Sequence, residues 1–112
     1  MAGTNKVRYG AQAKLHKALA HSTRLFIVEE VSKHERCVHE LATMVGAEMP
    51  TVSRHLSILK EAGILEDEKR GSHVFYRLKT PCVMSFFRCN RNVQRAANQR
   101  ETGFTEVSSL VK

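Results

Sequence analysis

Residues 38–62 constrain this chain more than any other part of it. A short apolar-periodic run ends at Gly46, a residue able to take the left-handed backbone that stops a helix. Three residues later a second helical pattern begins, with Pro50 in its first turn, where a missing N–H does no harm. On a 3.6-residue wheel Val52, Leu56 and Leu59 stand on one face. Pro50, Arg54 and Ser57 stand opposite, flanked by Thr51, Ser53 and Lys60. An idle surface helix usually carries long Glu and Lys side chains paired at i,i+4. This outward face is instead small and hydroxyl-bearing, with one arginine suited to a bidentate guanine contact. Such a face lets a helix backbone approach base edges in a DNA major groove, and the two segments predict a helix-turn-helix.

The flanking patterns supply the other elements. A first helix is predicted over residues 9–20, with Leu15, Ala18 and Leu19 as its apolar stripe. A second covers residues 22–33, capped by Ser22 or Thr23, with Leu25, Ile27, Val28 and Val31 inward. The third starts near Cys37, and the fourth runs to Ala62, where Gly63 stops it. Residues 64–69 and 73–78 have strand character, since Val74, Tyr76 and Leu78 alternate with Phe75 and Arg77. Residues 70–72, with Gly71, make a hairpin turn between them. A lone hairpin is marginal, so it must pack on the helices. Pro81 opens a fifth helix over residues 81–98, with Val83, Phe86, Phe87 and Val93 on an apolar face. The expected fold is mainly α with a β-hairpin wing. It is a winged helix-turn-helix over residues 9–98, with residues 1–8 and 99–112 as flexible tails.

A chain of 112 residues allows one compact domain. No apolar run approaches a membrane span, and the polar, basic N-terminus is not a secretory signal, so a cytoplasmic protein without a membrane partner is expected. The net charge is +7, and it is segregated. Residues 1–24 and 69–100 carry cations and no acid, whereas residues 25–48 are net acidic. Segregated basic blocks suit a polyanion. Lys69 and Arg70, with His73 nearby, would bring the wing tip to the DNA backbone or minor groove. His55 has two readings, a bond to the protein's own backbone or one to a DNA phosphate.

Four stretches in this order resemble the ArsR/SmtB family of metal-responsive repressors. They are Ala18-Leu19-Ala20-His21-Ser22-Thr23-Arg24-Leu25, Arg36-Cys37-Val38-His39-Glu40-Leu41, Thr51-Val52-Ser53-Arg54-His55-Leu56, and Lys69-Arg70-Gly71 through Val74-Phe75-Tyr76-Arg77-Leu78. The resemblance covers about residues 10–90. It implies a homodimer paired through the first and fifth helices. That dimer would bind an inverted-repeat operator in double-stranded DNA and release it when an inducer arrives. Twofold symmetry sets the two recognition helices about 34–36 Å apart.

The resemblance also frames the sensor. The arsenic-sensing branch clusters thiolates as Cys-x-Cys at the start of the third helix, and here that site reads Cys37-Val38-His39. The next cysteine of the pattern falls at Ala42, and residues 81–112 hold neither His nor Asp for a zinc-type site on the last helix. Cys37, Cys82 and Cys89 remain as candidate ligands. Cys82 and Cys89 are seven apart, about 10 Å along one regular helix. One ion therefore needs Cys82 outside the helix or a bridge from Cys37. Three thiolates suit As(III) or a similar thiophilic ion as inducer, and His39 as a fourth ligand would admit Zn(II) or Cd(II). DNA binding itself needs no cofactor.

Two other readings of the thiols stay open: a redox or persulfide switch, and three inert core cysteines. A winged-helix protein-interaction module is a further alternative, although the recognition face lacks the aromatic anchors such an interface uses. No paired carboxylates, phosphate loop or nucleophile–base pair indicate an enzyme.

Overall fold

The computed structural model describes residues 3–102. Five helices and three strands follow one another among the described residues. They are α1 (Gly3–Leu19), α2 (Ser22–Lys33), β1 (Arg36–Cys37), α3 (Val38–Val45), α4 (Met49–Glu61), β2 (Leu65–Arg70), β3 (His73–Leu78) and α5 (Val83–Thr102). The chain divides into two units, Met1–Pro81 and Cys82–Lys112.

In the first unit α4 is the central element. Val52, Leu56 and Leu59 have no solvent exposure, as the wheel predicts. They pack where α4 meets α2, α3 and β2, beside Ile27, Val28, Leu41, Ile64 and Leu65. Burying one such side chain stabilises the fold by about 1.5–3 kcal/mol. The turn between α3 and α4 is closed by Gly46 at φ 77°, with Gly46 N–H donating to Ala42 O at 2.9 Å. That left-handed backbone is costly for any residue with a Cβ, so Gly46 sets the angle at which α4 leaves α3.

The wing is a regular antiparallel pair with Leu65 opposite Leu78, Asp67 opposite Tyr76 and Arg70 opposite His73. The loop is only Gly71 and Ser72, so Arg70 belongs to β2 rather than to the turn. The sheet also has a third strand, β1, on the other edge of β3, with Arg36 opposite Tyr76 and Cys37 opposite Phe75. A strand of two residues has no periodicity to read. It is held by Glu30 of α2, whose carboxylate accepts from Arg36 Nη2 at 3.2 Å and from Lys33 Nζ at 2.9 Å.

Two sequence expectations for this unit need correction. The cap of α2 is His21, not Ser22 or Thr23: its Nδ1 accepts from Thr23 N–H at 3.1 Å. The first helix begins at Gly3 rather than Tyr9, replacing most of the predicted 1–8 tail; residues 1 and 2 lie outside the described residues. Only Val7 among residues 3–8 is a large apolar side chain, and it is 75% exposed, so no buried stripe marks this stretch. Local contacts hold it instead, with Arg8 reaching Asn5 Oδ1 and lying over the Tyr9 ring.

In the second unit, α5 starts at Val83, not Pro81, and Cys82 precedes it in a turn closed by Ser85 N–H to Cys82 O at 3.0 Å. It continues to Thr102, past the predicted end at residue 98, while residues 103–112 of the predicted tail lie outside the described residues. Val83 and Phe87 are buried, whereas Phe86 and Val93 are exposed.

Candidate nucleic-acid interface

The outward surface of α4 follows from its inward one. With Val52, Leu56 and Leu59 turned into the core, the helix pitch sends Pro50, Thr51, Arg54 and Ser57 to solvent, with Ser53 half-buried at the margin. Arg54 has no ion pair among the described residues. Lys60 is also exposed, but its ammonium sits 3.1 Å from Asp67 of β2. That bond ties the end of α4 to the wing and reduces the charge Lys60 can offer to DNA.

The two faces of the wing differ. Leu65, Asp67 and Lys69 alternate with Glu66, Glu68 and Arg70 along β2, so Lys69 shares the face whose Asp67 meets α4. The opposite face is an ion network. Arg70 binds Glu35 at 2.9 Å and Glu68 at 2.8 Å, and lies over the Phe75 ring at 4.9 Å. Arg77 binds Glu66 at 3.0 Å, Glu68 at 3.1 Å and Glu35 at 3.3 Å. The Arg70 guanidinium holds the carboxyls of Glu35 and Glu68 below the usual range. The sequence presents Lys69 and Arg70 as equivalent wing cations; in the fold, Lys69 is exposed and Arg70 is already neutralised.

Within the protein, His55 bonds a side chain rather than the backbone of the first sequence reading. Its Nδ1 lies 3.1 Å from Arg24 Nη1, and a guanidinium can only donate. Nδ1 therefore accepts, and the ring is neutral with its proton on Nε2. Burial pushes its pKa down, and the nearby His21, Arg24 and Arg54 add to the effect. The same Arg24 donates from Nε to Ala18 O at 2.6 Å and from Nη2 to Lys17 O at 3.3 Å. One side chain thus joins the end of α1, the start of α2 and the middle of α4.

The three cysteines sit in different settings. Cys37 is buried at the start of α3, where its N–H donates to Glu40 Oε1 at 2.9 Å; this bond holds the Glu40 carboxyl below its usual range. Cys82 and Cys89 are exposed. No group of three His, Cys, Asp or Glu side chains able to hold a metal ion forms among the described residues. Cys37 belongs to the first unit, whereas Cys82, in the turn before α5, and Cys89, on α5, belong to the second. His39 is exposed on α3.

The model of the bacterial regulatory protein arsR family matches residues 21–67, from the α2 cap into β2. The chain is 44% identical over 68 residues to the HTH-type transcriptional repressor SmtB of Mycobacterium tuberculosis, covering 61% of this chain and 50% of that one. It is 47% identical over 66 residues to the arsenical resistance operon repressor of Escherichia coli, covering 58% and 56%. A solved structure from Mycobacterium bovis, the homodimeric winged helix-turn-helix DNA-binding domain of a possible ArsR-family transcriptional regulator, matches with a TM-score of 0.75. It is 28% identical, and the match covers 94% of each chain. The chain belongs to the ArsR family. It spans about half the length of the curated relatives it matches.

ArsR proteins are regulators, not enzymes, in keeping with the lack of a catalytic constellation in the sequence. No helix among the described residues is long and apolar enough to cross a membrane. Sequence reasoning found the outward residues of α4 in this ArsR chain but missed Arg24, His21 and Glu35. The first two lie inside the His21-Ser22-Thr23-Arg24 stretch of the family resemblance, which was a usable signal. Glu35 had none, because its partners are 35 and 42 residues away in sequence.

Proposed function

We propose that this ArsR-family chain is a homodimeric, sequence-specific repressor that binds an inverted-repeat operator and leaves it when a thiol-reactive inducer acts. The observation that carries the reading is the division of α4. Its apolar side has no exposure, while Thr51, Arg54 and Ser57 stand in solvent on the other. Arg54 and the hydroxyls read base edges, and Lys69 meets the backbone from the wing. The homodimeric Mycobacterium bovis domain supports dimerisation here, and the exposed Val7, Tyr9, Phe86 and Val93 of α1 and α5 give it apolar surface to use.

As(III) is the first inducer to test, given the 47% identity to an arsenical resistance repressor. Cys37, Cys82 and Cys89 are its candidate ligands, within one subunit or across the dimer. The exposure of Cys82 and Cys89 favours a second reading, in which an oxidant or persulfide modifies these two thiols directly. In either case a coupling of about 1–3 kcal/mol between thiol and DNA sites loosens the operator roughly 5–150-fold.

Titration of the reduced protein on promoter DNA with As(III), and separately with diamide, tests this. As(III) release that disappears in Cys37→Ser supports the ion. Release by diamide that needs Cys82 and Cys89 but not Cys37 supports the redox reading. Absence of salt-dependent duplex binding by the parent protein would overturn the repressor reading and favour a protein-interaction module.

A further inference from the structure

Beside the outward face of α4 lies a cleft of about 450 Å3, lined by His21, Arg24, Thr51, Arg54, His55 and Ile58. It contains two guanidinium groups, two imidazoles and a hydroxyl, and no carboxylate. Both imidazoles have their tautomers fixed. Nδ1 of His21 accepts from Thr23 N–H, and Nδ1 of His55 accepts from Arg24, each at 3.1 Å. Backbone amides and guanidinium groups only donate, so both rings carry their proton on Nε2 and both have one donor left. The ring centroids are 4.6 Å apart, close enough for the two donors to serve one ligand. Thr51 lies in the first turn of α4, where its hydroxyl joins the lining of the cleft. A lining of donors and positive charge without an acidic group fits an oxyanion.

We propose that this cleft seats a phosphate of the DNA backbone at the edge of the groove read by α4. Its contacts are His21, outside the recognition helix, together with His55 and Thr51 on it. The proposal rests on the DNA-binding reading and extends it: these groups bind by position and charge, independently of base sequence. Arg24 spends three donors on Ala18 O, Lys17 O and His55, so its part is to hold the His55 ring and supply charge rather than to reach out.

The test is anisotropy of the full chain on labelled mixed-sequence duplexes of about 30 base pairs, long enough for two half-sites. In His21→Asn the amide oxygen keeps the Thr23 cap while the Nε2 donor is lost; His21→Ser does the same with another good cap residue. Both variants are expected to keep the parent thermal midpoint. Both should bind every duplex about 100-fold more weakly, about tenfold for the hydrogen bond lost to a charged group in each of the two half-sites. Parent affinity in both variants overturns the phosphate seat and leaves DNA binding standing. A loss confined to one duplex sequence also overturns it, in favour of a base contact. A parent protein that binds no duplex overturns the DNA-binding reading itself and the seat with it.

Discussion

The recognition helix and the wing both bring arginine to the surface, and the two arginines are not equivalent. Arg54 on α4 is exposed without an acidic partner among the described residues, while Arg70 on β2 is held by Glu35 and Glu68 and stacked on Phe75. In sequence each looks like a cation free to meet DNA. The fold separates them because β2 alternates its acids onto the face that Arg70 and Arg77 occupy, and Glu35 arrives beside them from the loop before β1. A count of basic residues therefore overstates the charge the wing can give to a polyanion, and on α4 it overstates only Lys60, which Asp67 holds.

The sharpest way to break this comparison is Arg54→Ala. Operator binding should weaken by about 1–3 kcal/mol, with relaxed base preference, as measured by gel shift on parent and single-base-substituted operators. Equal affinity for all of these by the parent protein would show that α4 does not read bases. A smaller effect is expected on the wing. Lys69→Ala should weaken binding to every duplex alike and lower the salt slope by about 1.8, about 0.9 for each wing of the dimer. Arg70→Ala should change the slope less than Lys69→Ala, since a bound phosphate must first displace two carboxylates. Equal slopes for the two variants would mean that the ion network opens freely on DNA. The smallest effect is that of Glu35→Gln, which frees part of Arg70 and Arg77. A slight gain in affinity for non-specific DNA is expected, and a loss would show that Glu35 matters more for placing the wing than for masking its charge.

Acid separates the two regions as well. The folded-state pKa of His55 is below its usual value of about 6.5, so between the two values the unfolded chain binds more protons. Stability from this site is complete above about pH 6.5 and falls as the pH drops below it. Glu35 and Glu68 have lowered pKa values, so their contribution survives that range and is lost only as the pH falls below about 4.3. Urea midpoints followed from pH 8 to pH 4 should show the first decline in the parent protein and none in His55→Gln. A decline of equal size in both would place the titrating group elsewhere.

What could be read from sequence divides along the same physical line. Periodicity marks elements that bury one face, so α2, α3, α4 and the wing were found within a few residues. The turn at Gly46 was marked by a residue whose backbone freedom the geometry requires. Periodicity is silent for β1, which is two residues long, and for the start of α1, which buries nothing large. The candidate site followed suit. The outward face of α4 is the complement of its core face and needed only the wheel. The neutralised Arg70, the Lys60–Asp67 pair and the Arg24–His55 bond are tertiary contacts between residues far apart in sequence, and spacing alone does not show them.

Arg24 has a mechanical consequence. Its guanidinium is a rivet through three helices: it holds the last carbonyls of α1 and the imidazole of α4 at once. A sideways pull on α1 must then either drag the groove-facing rod along or snap the rivet. Whatever grips α1 from outside thereby gains a lever on the tilt of α4, with no need to touch it.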